Sequence, residues 1–424
     1  MSNLLDRSSI VLTPTAYDNG EVLCVKPSDG SGDFSFSRAT EATRINSQGL
    51  VEVVADNLPR INYEGFSYDG SGNIISDSGC GSWLFEPQST NLITYSEDFS
   101  TAGVWTKVQV TVLDNQAVSP DGTQNSSKVT KLGNNANDRL KEDLTITSGV
   151  SYNVSVFLKN NTIVGTTTLA ARVNGGTLFR LGFDWNGETP SISGSYSSGT
   201  RTNEIIENYG NGWYRVGFSF LSDGTDVDIE IDLDRARGND TTSLYIWGAQ
   251  VEEQTYATSY IPTSGTTVTR VGETCVNATP VINSEQGVLY AEIAALADDG
   301  TNREISISDG TTGNRITIRY RPASGQIQAA VVSGGTTQAI ITKIGLTTTN
   351  FAKVALKYSQ NNFALWINGI EVGTDTSGLI PTGLNNLSFD IGIDGFNNFF
   401  GNTKDLQVFT EALSDYQLAQ LTTI

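Results

Sequence analysis

At 424 residues the chain is too long for one ordinary core, and its 38% hydrophobic content is enough to build two to four packed domains rather than a disordered polymer. A net charge of −20 disfavours phosphate backbones and anionic membranes, so neither nucleic-acid binding nor membrane insertion is expected. The chain has no histidine, which removes Ser–His–Asp triads, Cys–His dyads and His-ligated zinc and leaves carboxylates as its general acids and bases.

Abundant Gly, Thr, Ser and Asn with β-branched apolar residues point to an all-β chain, read as a small N-terminal module followed by two antiparallel β-sandwich (jelly-roll) domains. Residues 1–92 mix short apolar runs with the turn clusters at 28–33 and 69–73, around an alternating strand that opens at Phe34. So glycine-rich a stretch is expected to complete itself only against a partner or the next module. From 93 to 265, strand-like runs recur at sandwich spacing: 152–159, 166–173, 177–185, 213–220, 226–234 and 243–251. A Thr/Ser/Gly bridge at 261–270 leads into 266–424, where 287–294, 315–320, 326–332, 351–358, 363–368 and 387–392 read as strands. Asn368-Gly369 predicts a type I′ hairpin turn, and Ser414 with Gln417 predicts a capping box opening a C-terminal helix. Cys24, Cys80 and Cys275 are odd in number and far apart, so no disulfide framework is encoded. The first residues lack an apolar signal core, and synthesis in a cytosol is expected.

Three features could carry chemistry. In the 226–234 strand, Asp226, Asp228, Glu230, Asp232 and Asp234 share one face and Val227, Ile229, Ile231 and Leu233 the other. The acidic face is either solvated, offset by basic neighbours, or a calcium site built with Asp226, Asp228, Glu230 and Asp232; a two-carboxylate glycosidase pair is a further alternative. In the 213–220 strand, Tyr214, Val216, Phe218 and Phe220 belong to the core, which turns Trp213 and Arg215 outwards. There they either stack on and hydrogen-bond a sugar, or are covered by a loop and an acidic partner. Asp394, Phe396 and Asn398 sit in an Asn/Gly/Asp loop region that fits either a lectin-type ligand site or ordinary turns.

Certain motifs resemble a known family. The stretch 36–52, which opens Phe36-Ser-Arg-Ala-Thr40, then 57–63, then 83–99 is similar to the N-terminal region of bacteriophage fibre and head-spike proteins. Residues 211–216 and 246–263 resemble the carbohydrate-binding-module-like jelly roll that often follows, and 353–369 with 404–421 resemble a concanavalin A/laminin G-type sandwich. The resemblance implies a virion component (fibre, spike or capsid decoration) facing outwards, docked to other virion proteins through the N-terminal module. It also implies a homo-oligomer, commonly a trimer, whose lectin-like folds could hold host-surface glycans. It transfers no catalytic residue. A polysaccharide depolymerase and a bacterial surface adhesin are the alternatives, the first resting on the acidic strand and the second lacking an export signal.

Overall fold

The structure is a computed structural model that describes residues 4–63, 66–68, 74–76, 79–133, 138–194, 196–233, 241–321, 323, 325–392 and 396–423. It is nearly all β, and the strands pair antiparallel into a set of sheets. Helices among the described residues are confined to Leu4–Arg7 and Asp415–Thr422. The second is opened by the predicted capping box, with both Ser414 and Gln417 in place. The hairpin turn also forms as expected, since Asn368 and Gly369 both take positive φ, 50° and 80°.

The middle stretch is a sandwich of two six-stranded sheets. In one, Asp226–Asp232 lies between Arg139–Thr145 and Thr166–Val173; in the other, Ser151–Asn160 lies between Ser243–Glu252 and Trp213–Leu221. Period-two alternation aims Val227, Ile229 and Ile231 from the first sheet at Val154, Val216, Phe218 and Phe220 from the second, and these side chains form the shared core.

One residue breaks the pattern. Glu142 stands two positions after the core residue Leu140, so it points inwards as well, and it is 4% exposed. Its Oε2 has no partner, while a backbone hydrogen bond from Thr94 reaches the carboxylate. Burial pushes the carboxyl up to about 7, against the opposing pull of that bond. The folded chain therefore holds this proton more tightly than the unfolded chain, whose glutamate titrates near 4.5. Stability from this group falls as pH rises from 4.5 towards 7 and levels off above. Glu142→Gln is expected to gain roughly 2–3 kcal/mol over the parent at slightly alkaline pH and to match it near pH 4, in urea titrations at both pH values.

The third stretch forms a second sandwich, and the first stretch is woven into it. One layer is the five-stranded sheet from Thr336–Lys343 to Asn386–Ser388. The other is eight-stranded, with Gln286–Ala295 and Gly401–Phe409 at its centre. Along the free side of Gly401–Phe409 two N-terminal strands lie end to end: Leu12 opposite Leu406, and Trp83 opposite Thr403. Ile61–Asn62 extends the sheet beyond Ser82–Phe85, and the linker strand Thr274–Val276 pairs with Phe34–Ser37. Ile10, Leu12, Phe34, Phe36, Trp83 and Phe85 belong to the same core as Leu289, Ile305, Phe389 and Val408. Residues 1–92, expected as a separate attachment module, thus complete the C-terminal sandwich, skipping over the next module in sequence. The reason is local: strands of two to five residues cannot bury their apolar side chains alone.

Candidate functional site

A cleft of about 580 Å³ opens where the three stretches meet. Its walls are the hairpin Ala42–Ile45/Val51–Val54, the end of strand Thr202–Asn208, and residues 257–260, which follow the last strand of the middle sandwich. Its floor is one edge of the eight-stranded sheet, which contributes Asn62, Leu84 and Asn402. Those residues share a face through the register, since Asn62 pairs opposite Ser82, and Leu84 opposite Asn402.

Behind the cleft lies a buried ionic network. Glu273 receives Arg38 Nη1 at 2.7 Å and Arg60 Nη2 at 2.6 Å; Glu86 receives Arg60 Nη1 at 2.9 Å and Arg270 Nη1 at 2.6 Å. All five side chains are between 0% and 3% exposed. Further guanidinium donors reach backbone carbonyls of Thr40, Thr43, Ala55 and Pro87, while Arg270 Nε is buried without a partner. Glu86 also accepts from Ser259 N (2.7 Å) and Ser259 Oγ (2.6 Å). Burial acts to raise its carboxyl, but Arg270 and Arg60 overcome that and hold it down to about 2. With both oxygens accepting and two guanidiniums paired to it, Glu86 is held as an anion that builds structure.

The lining combines amides, tyrosines and a lone carboxylate. Asn62 Oδ1 accepts from Ile45 N at 2.8 Å and Asn402 Oδ1 from Ser82 Oγ at 3.1 Å. Tyr63 and Tyr209 contribute rings. Glu207 is open to solvent yet closely surrounded by protein, which raises its carboxyl above the ordinary range, with Arg215 acting the other way. Arg215 is 3% exposed; it donates to Thr258 O (2.7 Å) and to Ser155 Oγ and lies over the Phe157 ring at 5.5 Å.

The positions singled out from sequence fare differently. Trp213, read from sequence as either an outward sugar platform or a side chain covered by a loop, is 1% exposed and covered: Val51 of the N-terminal hairpin, Trp247 and Tyr260 pack over it and its Nε1 donates to Val118 O. This face of the sandwich is covered because residues 42–54 and 256–263 fold back onto it. Arg215, on the same face, lines the cleft wall but is held by Ser155 and Thr258 rather than by the acidic strand, which lies in the other sheet. Phe396 is 65% exposed and Asn398 is half-buried; neither lines the cleft, and Asp394 falls outside the described residues.

The carboxylates expected to ligate calcium are engaged by cations from neighbouring strands. Lys141 reaches Asp228 at 2.9 Å, and Arg172 and Arg139 reach Glu230 at 3.0 and 3.5 Å. Arg180 lies 3.7 and 3.8 Å from Glu230 and Asp232. Asp226 is exposed at the strand's end, and Asp234 lies outside the described residues. The register sets the pairing: Lys141 stands opposite Glu230 and Arg172 opposite Asp228, and each reaches diagonally to the carboxylate two positions along the acidic strand. Among the described residues no group of three or more His, Cys, Asp or Glu is arranged to hold a metal ion. Sequence reasoning missed the cleft because its floor joins residues 340 positions apart; Asn62 and Tyr63 did fall inside the 57–63 motif.

The topology of the C-terminal sandwich agrees with the sequence comparisons. Residues 291–419 match the family described as the Concanavalin A-like lectin/glucanases superfamily. The match spans less than a third of the chain and leaves the middle sandwich unassigned. No curated protein matches the sequence. Similar solved structures include the CBM40 of the Ruminococcus gnavus IT-sialidase, at 19% identity over 33% of this chain and 84% of that one, TM-score 0.29. The native heptameric SAP-like pentraxin of Limulus polyphemus is similar at 17% identity over 34% and 72%, TM-score 0.28. Domain 4 of AbnA, a GH43 extracellular arabinanase from Geobacillus stearothermophilus, is similar at 15% identity over 36% and 78%, TM-score 0.28.

Proposed function

We propose that this chain is a non-catalytic glycan-binding protein displayed on the outer surface of a bacteriophage particle as a fibre, spike or capsid decoration. The observation that carries the glycan reading is the match of 291–419 to the Concanavalin A-like lectin/glucanases superfamily. The virion placement rests on the linked motifs at 36–52, 57–63 and 83–99, which supply Arg38, Arg60 and Glu86 to the buried network. Those motifs act as a structural signature, since the network they build with Arg270 and Glu273 locks the three stretches together. A non-catalytic role fits a chain without histidine whose buried carboxylates in the acidic strand and in the network are ion-paired. On this reading the protein is made in the host cytoplasm, assembles as a homo-oligomer, a trimer by family resemblance, and docks to other virion proteins.

The test is binding of purified, labelled protein to intact host cells, with and without calcium and competing glycans, alongside mass spectrometry of purified virions. Saturable, sugar-competed binding and presence in virions are expected. Folded protein that ignores the cells would end the adhesive reading, and absence from virions would end the particle assignment.

A further inference from the structure

We infer that the cleft at the junction of the three stretches is a binding site for a neutral pyranose unit of a glycan, held through Asn62, Asn402, Tyr63 and Glu207. This deepens the glycan reading above and rests on it. The volume, about 580 Å³, lies within the range of small-ligand sites, and such sites favour domain junctions.

The polar groups are those of a binding site rather than of a solvent gap. Asn62 and Asn402 are each 7% exposed, and each uses Oδ1 in a protein hydrogen bond, while among the described residues no protein acceptor takes Nδ2. Neither Nδ2 is among the buried atoms that lack a partner, so these N–H donors stand on one face of the sheet where the cleft, rather than packed protein, meets them. An apolar occupant would leave those donors unpaired, whereas a hydroxyl oxygen accepts from them. Among the described residues none takes a hydrogen bond from the Tyr63 hydroxyl or gives one to the Glu207 carboxylate, so a donor–acceptor and an acceptor stand in the same cleft. A sugar hydroxyl both donates and accepts, and only a ligand with several of them matches this mixture.

Charge selects against ionic ligands. Arg44 is paired with Glu52 at 2.8 Å, Arg215 is tied to Ser155 and Thr258, and Glu86 is neutralised by two guanidiniums. Among the described lining residues no cation is left to draw in a carboxylate or phosphate, and Glu207 would repel one. The tyrosine rings of the lining offer the apolar surface that the C–H face of a pyranose needs. The ionic network directly behind holds Ser259 and strand Ser82–Phe85 in place, so the site is formed before the ligand arrives.

The experiment is saturation-transfer NMR and calorimetry of the intact chain with the methyl glycosides of glucose, galactose, mannose and N-acetylglucosamine. Tyr63→Ala, Glu207→Gln and Asn402→Ala are compared with Phe396→Ala, after melting curves establish that each variant is folded. At least one glycoside should bind the parent, and each cleft variant should weaken it about tenfold while Phe396→Ala leaves it unchanged. Tyr63 and Glu207 are partly or fully exposed, so those two variants read the site even where Asn402→Ala misfolds. Binding that survives the cleft variants, or is lost in Phe396→Ala, overturns the cleft while the glycan reading stands. A parent that binds none of the four glycosides but does bind cells also overturns the cleft; failure to bind either removes both.

Discussion

Glu273→Ala is expected to destabilise the protein by about 3–5 kcal/mol, the cost of stranding buried cations by removing their carboxylate. Glu273 receives Arg38 and Arg60 at 2.7 and 2.6 Å and also accepts from the backbone N–H of Glu86, all out of contact with solvent. The variant leaves the buried Arg38 without a carboxylate and Arg60 with Glu86 alone. Urea unfolding at neutral pH measures it, and a loss below about 0.5 kcal/mol would show the network to be far wetter than its burial implies. The same network predicts an acid limb. The carboxyl of Glu86, held near 2 in the folded chain, titrates near 4.5 when unfolded. Its contribution is complete above pH 4.5 and disappears as pH falls from there towards 2, and Glu86→Gln should flatten that part of the curve.

Deleting residues 1–92 is expected to abolish cooperative folding of the C-terminal sandwich. The deletion removes two strands beside Gly401–Phe409 and eight core side chains: Ile10, Leu12, Val22, Phe34, Phe36, Ile61, Trp83 and Phe85. At roughly 1.5–3 kcal/mol of burial for each large apolar side chain, their loss exceeds the 5–15 kcal/mol or so that a whole domain holds in reserve. Trp213 and Trp247 would lose the cover of Val51 as well. Calorimetry of residues 93–424 should show the transition of the middle sandwich, which keeps its own core, and none for the C-terminal one. Two transitions close to those of the intact chain would mean that the N-terminal strands are an ornament on a self-sufficient sandwich.

Local rules made much of this protein legible from its sequence. Period-two alternation separates Val227, Ile229 and Ile231 from the carboxylates between them, and the paired positive φ angles of Asn368-Gly369 and the Ser414–Gln417 cap need only neighbouring residues. The motifs containing Arg38, Arg60 and Glu86 are visible as motifs, yet their role is not: a guanidinium in a polar string reads as surface until its carboxylate arrives from Glu273, 235 positions from Arg38. The same holds for the acidic strand. Its five carboxylates look like an unpaired surface or a cation site because Lys141, Arg172 and Arg180 belong to other strands of the sheet, and only the folded sheet brings them within reach.

Trp213 shows where sequence stops. Alternation correctly sends it away from the core of its own sandwich, but what lies on that outer side depends on where the chain returns. Residues 42–54 return there, and a side chain suited to solvent contact with a sugar becomes the centre of a second small core. By itself, then, the sequence determined the faces of the strands it marked, the hairpin and the cap, because each follows from contacts within a few residues. The strands Arg303–Ser308, Thr336–Lys343 and Gly401–Phe409 carried no such mark, and the strand expected at 387–392 forms only as Asn386–Ser388. The tertiary structure alone decided which faces are covered, which charges meet and where a cleft is left. Those outcomes depend on pairings across hundreds of residues, in which burial and charge neutralisation are settled together.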